Sequence, residues 1–330
     1  MKKSIVITSI FLPTQAVVSF SGMEDYTVIV VGDKKTPSNW LHQNVQYISV
    51  ADQEKMGFDL VHVLPFNHYC RKMLGYLKAI DDGADCIIDT DDDNIPKDNW
   101  CFPEFESEFE CTRENEGFIN VYQLFTEKKI WPRGLPLNLI SKDFQLNDHI
   151  ESSAIRVGIW QGLADEDPDV DAIYRLTDDT PCYFNKRNPV VLKQGTFSPF
   201  NTQNTMIRKE LFALLYLPCY VTFRFTDILR GWVAQPIMSL YGYHLGFTGA
   251  TVVQKRNPHD YMKDFISEIP MYEQGEKVIN LVLKSISASK TIEDNLYNAY
   301  KSLLKEGIVC EKEMITLESW LKDFKKIRQS

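Results

Sequence analysis

Four carboxylates crowd into five residues at Asp89-Thr90-Asp91-Asp92-Asp93, directly after the apolar Cys86-Ile87-Ile88. Like charges this close repel and resist ionising together unless a cation neutralises them, so the end of this apolar run needs a chemical explanation. Upstream, residues 4–10, 26–31 and 45–50 are short, β-branched and apolar on both faces, the pattern of parallel strands covered by helices. Between the third run and the acidic one, Tyr69, Met73, Tyr76, Leu77 and Ile80 recur at helical spacing. They predict a helix over residues 67–82 that stops at Gly83. This βαβ alternation predicts an open α/β sheet, whose ligands sit beyond the carboxyl ends of its strands.

Residues 100–200 are less regular and rich in Pro, Asp, Asn and aromatics, so they predict long loops of the kind that build binding sites on such a scaffold. Past residue 265 the texture turns helical: Val278, Leu281, Val282 and Ile286, then Ile292, Leu296, Tyr300 and Leu303, then Ile315, Trp320, Leu321 and Phe324. Thr291 reads as an N-cap and Gly307 as a stop, and the tail reads as a packing or oligomer appendage. The net charge of −9 over 330 residues argues against a nucleic-acid-binding surface. Seven scattered cysteines without a CxxC pair argue against a disulfide framework or zinc knuckle and for a reducing compartment. No segment reaches the ~18 uninterrupted apolar residues needed to span a bilayer, so a cytoplasmic location is expected, with peripheral membrane association left open.

The acidic run admits several chemical readings. An EF-hand loop fails, because its sixth position would be Asn94 and its twelfth Trp100. A phosphatase-type nucleophile loop wants Thr or Val where Asp93 stands. There remain a solvated acidic turn and the Asp-x-Asp element that holds Mn²⁺ or Mg²⁺ against the diphosphate of a nucleotide sugar, hard oxygen ligands suiting those ions. Near it in sequence, Arg71 and Lys72 can neutralise phosphates or pair with the aspartates, Arg71 being the preferred one. Further along, Thr226 or Asp227 can cap a helix whose core face is Ile228, Val233 and Ile237, or Asp227 can serve as a general base. His259, in Lys255-Arg256-Asn257-Pro258-His259-Asp260, is a candidate metal or diphosphate ligand as well as an ordinary surface histidine.

Several strings in order resemble the STELLO-type glycosyltransferase-like proteins and, more distantly, the reversibly glycosylated polypeptides, which are UDP-arabinopyranose mutases. They include Pro65-Phe66-Asn67-His68-Tyr69-Cys70-Arg71-Lys72, the acidic run itself, Trp131-Pro132-Arg133-Gly134-Leu135-Pro136, Asp169-Val170-Asp171-Ala172, Pro199-Phe200-Asn201-Thr202-Gln203-Asn204 and Thr226-Asp227-Ile228-Leu229-Arg230-Gly231. The resemblance spans about residues 4–260. It implies a GT-A-like glycosyltransferase fold, an open, mostly parallel mixed sheet over residues 1–265. Residues 1–100 would form the nucleotide-sugar half and 101–265 the acceptor half, with a helical extension over 266–330.

The implied function is a metal-dependent glycosyltransferase that moves a sugar from a nucleotide-sugar donor, UDP favoured, to a glycan, glycolipid or other hydroxyl acceptor, as in surface polysaccharide synthesis. A non-catalytic scaffold for polysaccharide synthesis and a nucleotide-sugar ring mutase are the alternatives. On this reading Thr8, Ser9, Asp33, Arg71 and Asp89 bind the donor, and Asp91, Asp93 and His259 hold Mn²⁺ or Mg²⁺. Asn201, Asn204 and Arg230 line the acceptor pocket, and Asp227 is the base of an inverting transfer, with Asp165, Glu166 or Asp169 as substitutes.

Overall fold

In the computed structural model, which describes residues 1–256 and 259–329, the apolar runs become the core of one large sheet. Asn257, Pro258 and Ser330 lie outside the described residues. The first half comprises β1 (Lys3–Thr8), α1 (Gln15–Ser21), β2 (Tyr26–Val31), β3 (Val45–Ile48), α2 (Val50–Gln53), α3 (Leu60–Val63), α4 (Lys72–Asp81) and β4 (Cys86–Thr90). Next come β5 (Asn94–Pro96), β6 (Glu106–Cys111), β7 (Gly117–Phe118), β8 (Glu151–Glu166), α5 (Ala172–Thr177), β9 (Val190–Leu192), β10 (Thr196–Phe197) and β11 (Asn204–Arg208). The chain closes with α6 (Thr226–Leu240), β12 (His244–Gln254), α7 (Tyr261–Ser285), α8 (Ile292–Lys305) and α9 (Glu311–Gln329).

The main sheet runs β3-β2-β1-β4-β11-β8-β6-β9-β12-β5. Its first four strands are parallel, with Ile5 opposite Val28 and Ile88, and β11 then joins antiparallel to both β4 and β8. β8 and β12 pair in parallel along most of their length. The expected α/β architecture, a large mixed sheet with helices packed on it, is therefore present. The chain leaves β1 for β2 and β3 on one side and returns to β4 on the other, so the strand order reverses between β1 and β4. A crevice beyond the carboxyl ends of those two strands is where this topology places a ligand.

Two local features set that crevice. The residues expected to be one helix over 67–82 split into a 3₁₀ turn, Tyr69–Arg71, followed by α4, which ends before Gly83 at φ +77°. α4 lies close on the sheet because Gly75 has no side chain: a Cβ there would stand 2.6 Å from a Val6 methyl and 2.8 Å from a Val31 methyl. Likewise the first strand stops at Thr8, two residues short of the expected end, leaving Ser9 to Pro13 as a loop over the crevice.

The helical tail is part of the same core. α7 begins at Tyr261, so a division at residue 265 falls inside it, and Val278, Leu296, Tyr300, Leu317 and Trp320 are buried with residues of α4 and α6. Polar groups tie it down as well. Asp323 accepts from the backbone N–H groups of Asp59 and Leu60 at the start of α3, and Glu313 accepts from those of Cys219 and Tyr220. Thr291 caps α8 through a reciprocal capping box with Asp294, as its position predicts. Among the described residues no helix is long and apolar enough to cross a membrane.

Candidate active site

A cavity of about 340 Å³ opens at the predicted crevice, within the size range of small-molecule sites. Its walls bring together Thr8 and Ser9 from the end of β1, Gly32 and Asp33 from the end of β2, and Asp91, Asp92 and Asp93 from the end of β4. Asn201, Asp169, Arg133 and Asp227 line the other side, with Gln254 at the end of β12 and Arg256 and His259 beyond it.

The acidic run divides into a buried member and three that face the cavity. Asp89 is fully buried and does not line the cavity: Lys72 Nζ reaches its Oδ1 at 2.9 Å and Arg230 Nη1 its Oδ2 at 2.7 Å. Lys72 also donates to Asp91 Oδ1 at 2.8 Å and to the Thr90 carbonyl at 2.8 Å. Burial depresses the Lys72 ammonium, but Asp89 and Asp91 outweigh it and raise its pKa above the ordinary value. Asp91 is pushed up to about 7 by its partial desolvation in the cavity wall and by Asp93, against the pull of Lys72. Burial lifts Asp92 to about 6 and raises Asp93 as well. Asp93 Oδ2 accepts from Gln254 Nε2 at 3.2 Å, whereas its Oδ1 is buried without a hydrogen-bond partner among the described residues. Strand-end carboxylates that resist ionisation, with one oxygen, Asp93 Oδ1, lacking a donor, are what a hard cation would satisfy.

Across the cavity a second charged group is built on Arg133. Its Nε and Nη2 hold Asp169 at 2.8 Å each, and its Nη1 and Nη2 hold Asp227 at 3.0 and 2.8 Å. Burial opposes ionisation of Asp169, yet Arg133, with Arg224 behind it, keeps its carboxyl below the usual range. Asp227 sits in the first turn of α6 but does not cap it: the N-cap is Phe225, with no side-chain cap bond. The Asp227 carboxylate is oriented by Arg133 and by the Tyr69 hydroxyl, which donates to Oδ1 at 3.4 Å.

Comparison with known proteins adds an independent line. Residues 224–330 match a family model described as STELLO glycosyltransferases. Over 98% of its length the chain is 26% identical both to "Probable glycosyltransferase STELLO1" and to "Probable glycosyltransferase STELLO2" of Arabidopsis thaliana. The chain is thus similar to STELLO-type proteins along nearly its whole length. The chain spans 44% of the length of each of those relatives. The family match runs to residue 330 and so takes in α7, α8 and α9, beyond the point near residue 260 where the string resemblance ends.

Against the STELLO-type expectation, the predicted site residues fall into two groups. Thr8, Ser9, Asp33, Arg71, Asp91, Asp93, Asn201, Asp227 and His259 share the cavity. Asp89, Asn204 and Arg230 do not line it. Asn204 is a buried structural amide that accepts from Trp100 Nε1 and donates to Thr251 Oγ1. Arg230 points into the core, toward Asp89 and the Asn201 carbonyl. Arg71 lines the cavity with its donors already engaged, Nε and Nη2 on Gln53 Oε1 and Nη1 on the Leu64 carbonyl, so Lys72 rather than Arg71 balances the aspartates. His259 stands at the rim with Nδ1 2.9 Å from Asp264. Arg133, Gln254 and Arg256 were not singled out from the sequence. The available signal for Arg133 was a lone charge inside the turn-rich Trp131-Pro132-Arg133-Gly134 string.

Proposed function

We propose that this chain is a metal-dependent glycosyltransferase that moves a sugar from a nucleotide-sugar donor, UDP-linked, to a hydroxyl of a glycan or glycolipid. The observation that carries the reading is the carboxylate cluster at the end of β4, which opens into the cavity at the strand-order reversal, where a sheet of this kind holds its ligand. Asp91, whose side chain is 36% exposed, and Asp93, with its unpartnered Oδ1, are the residues that would hold Mn²⁺ or Mg²⁺. Among the described residues no three His, Cys, Asp or Glu side chains form a ready ligand group. Two carboxylates completed by substrate phosphates and water are a usual arrangement for such an ion. When bound it supplies charge neutralisation for the departing diphosphate.

The chain's own residues account for the other requirements. Thr8, Ser9 and Asp33, which line the cavity, are the residues assigned to the nucleoside of the donor. Asp227 is the base for the acceptor hydroxyl: its Oδ2 takes a single protein hydrogen bond, from Arg133, and so keeps a lone pair for the hydroxyl proton. Asp169 suits that task less, because its Oδ2 already accepts from both Arg133 and Asn201. The test is a donor screen that follows hydrolysis or transfer with UDP-, GDP- and CMP-sugars in Mn²⁺. Release of UDP from a UDP-sugar is expected, and inactivity with every donor would refute the enzyme reading. Recovery of a ring-isomerised donor in place of transfer would establish a mutase instead.

A further inference from the structure

Arg256 follows the end of β12 by two residues and lines the cavity with a side chain only 10% exposed. The ionic partner of its guanidinium is Asp264 at 3.6 Å, outside hydrogen-bond reach, and that same carboxylate oxygen already takes His259. Other arginines of the cavity are bonded: Arg71 to Gln53 and Leu64, Arg133 to Asp169 and Asp227, Arg224 to Glu268 and the Val170 carbonyl. A buried guanidinium has five N–H donors, and leaving them unbonded is costly. Burial and the neighbouring Arg224 and Arg175 charges make its ionised form harder still to hold, drawing its pKa down to about 10. Asp93, Asp169 and Arg256 line the same cavity, and the Arg256 charge favours the ionised form of both carboxylates. Gln254, the last residue of β12, donates to Asp93.

A largely buried cation that makes no hydrogen bond among the described residues, in the same cavity as the strand-end carboxylates, calls for an anion with several acceptor oxygens. We propose that Arg256 binds the β-phosphate of a nucleoside diphosphate in this cavity, an assignment that rests on the nucleotide-sugar reading above. In the transfer the bond between the anomeric carbon and the β-phosphate oxygen breaks, and its electron pair stays on that oxygen. The acceptor oxygen bonds to the anomeric carbon and its proton passes to Asp227. Arg256 then faces the charge gained by the leaving diphosphate.

Calorimetry of the full chain with UDP, UMP and inorganic pyrophosphate, each with and without Mn²⁺, tests the assignment. Arg256→Gln is expected to weaken UDP and pyrophosphate by about 10–100-fold, the worth of charge-assisted hydrogen bonds, and to leave UMP within about twofold. Should Arg256→Gln fail to fold, Arg256→Lys carries the same test, with a weakening of UDP and pyrophosphate relative to UMP. Equal losses for UDP and UMP, or none for either, would overturn the assignment while leaving the donor reading in place. Pyrophosphate binding that depends on Arg256, in a protein that ignores UDP, would keep the assignment and remove uridine from the proposed donor. A wild-type protein that binds neither would refute both.

Discussion

Replacing Lys72 by methionine keeps the length of a side chain that is fully buried and removes its charge. The loss is three hydrogen bonds of 2.8–2.9 Å, to Asp89, Asp91 and the Thr90 carbonyl. Removing one partner of a buried ion pair costs about 3–5 kcal/mol, because the other charge is left without compensation. Here two features soften that figure. Arg230 still holds Asp89 at 2.7 Å, and Asp91 is 36% exposed and can hydrate. The expected loss is therefore near the lower bound, about 3 kcal/mol, a large share of the ~5–15 kcal/mol that holds a typical domain together. Urea denaturation of wild type and Lys72→Met, with m-values compared to confirm that the same surface unfolds, measures it directly. A difference below about 1 kcal/mol would refute the claim that Lys72 is the counter-charge on which the acidic strand end depends.

Three further outcomes follow from the same geometry. Asp227→Asn should lower turnover by about 10²–10⁴-fold with donor binding nearly unchanged, as expected for loss of a general base; unimpaired steady-state turnover would remove Asp227 from the chemistry. Arg133→Met takes the counter-charge from two largely buried carboxylates, Asp169 and Asp227, and should cost about 3 kcal/mol in urea denaturation, whereas a change under about 1 kcal/mol would show that the clamp is not structural. Glu313 is raised above its ordinary value of 4.5 by burial, even though backbone N–H groups of Cys219 and Tyr220 and the Tyr216 hydroxyl favour its ionised form. The native state thus holds more protons than the unfolded one above about pH 4.5, so this group's contribution to stability falls as the pH rises through that window. Glu313→Gln should flatten that dependence in melting curves recorded across it, and an unchanged slope would show that Glu313 does not titrate as described.

How much could be read from the chain alone depended on how local each signal was. β1, β2 and β4 are continuous apolar runs, and their pairing follows from a βαβ order with few solutions, so both the sheet and its acidic edge were readable. β8 was not: its first six residues are partly or fully exposed and its next nine are buried, so no single period marks it, and its partners lie far away on β11, β6 and β12. The same limit separates the site residues. Asp91, Asp93 and Ser9 follow their strands directly into the crevice, and sequence position was enough to place them. Asn204 and Arg230 sit in strings that look equally suited to bind sugars, but their amide and guanidinium are consumed by Trp100, Thr251 and Asp89, partners 47 to 141 positions distant that no local pattern reveals. Arg71 and Lys72 are adjacent, and which of them turns toward the aspartates is decided by the 3₁₀ turn that precedes α4.

The central claim is that the end of β4 binds a nucleoside diphosphate through a divalent ion, and calorimetry of UDP with and without Mn²⁺ tests it most directly. The account predicts UDP binding that strengthens on adding Mn²⁺ and a gain that disappears when Asp91→Ala and Asp93→Ala are combined in a protein that remains folded. UDP binding that ignores Mn²⁺ and survives the double substitution would contradict it.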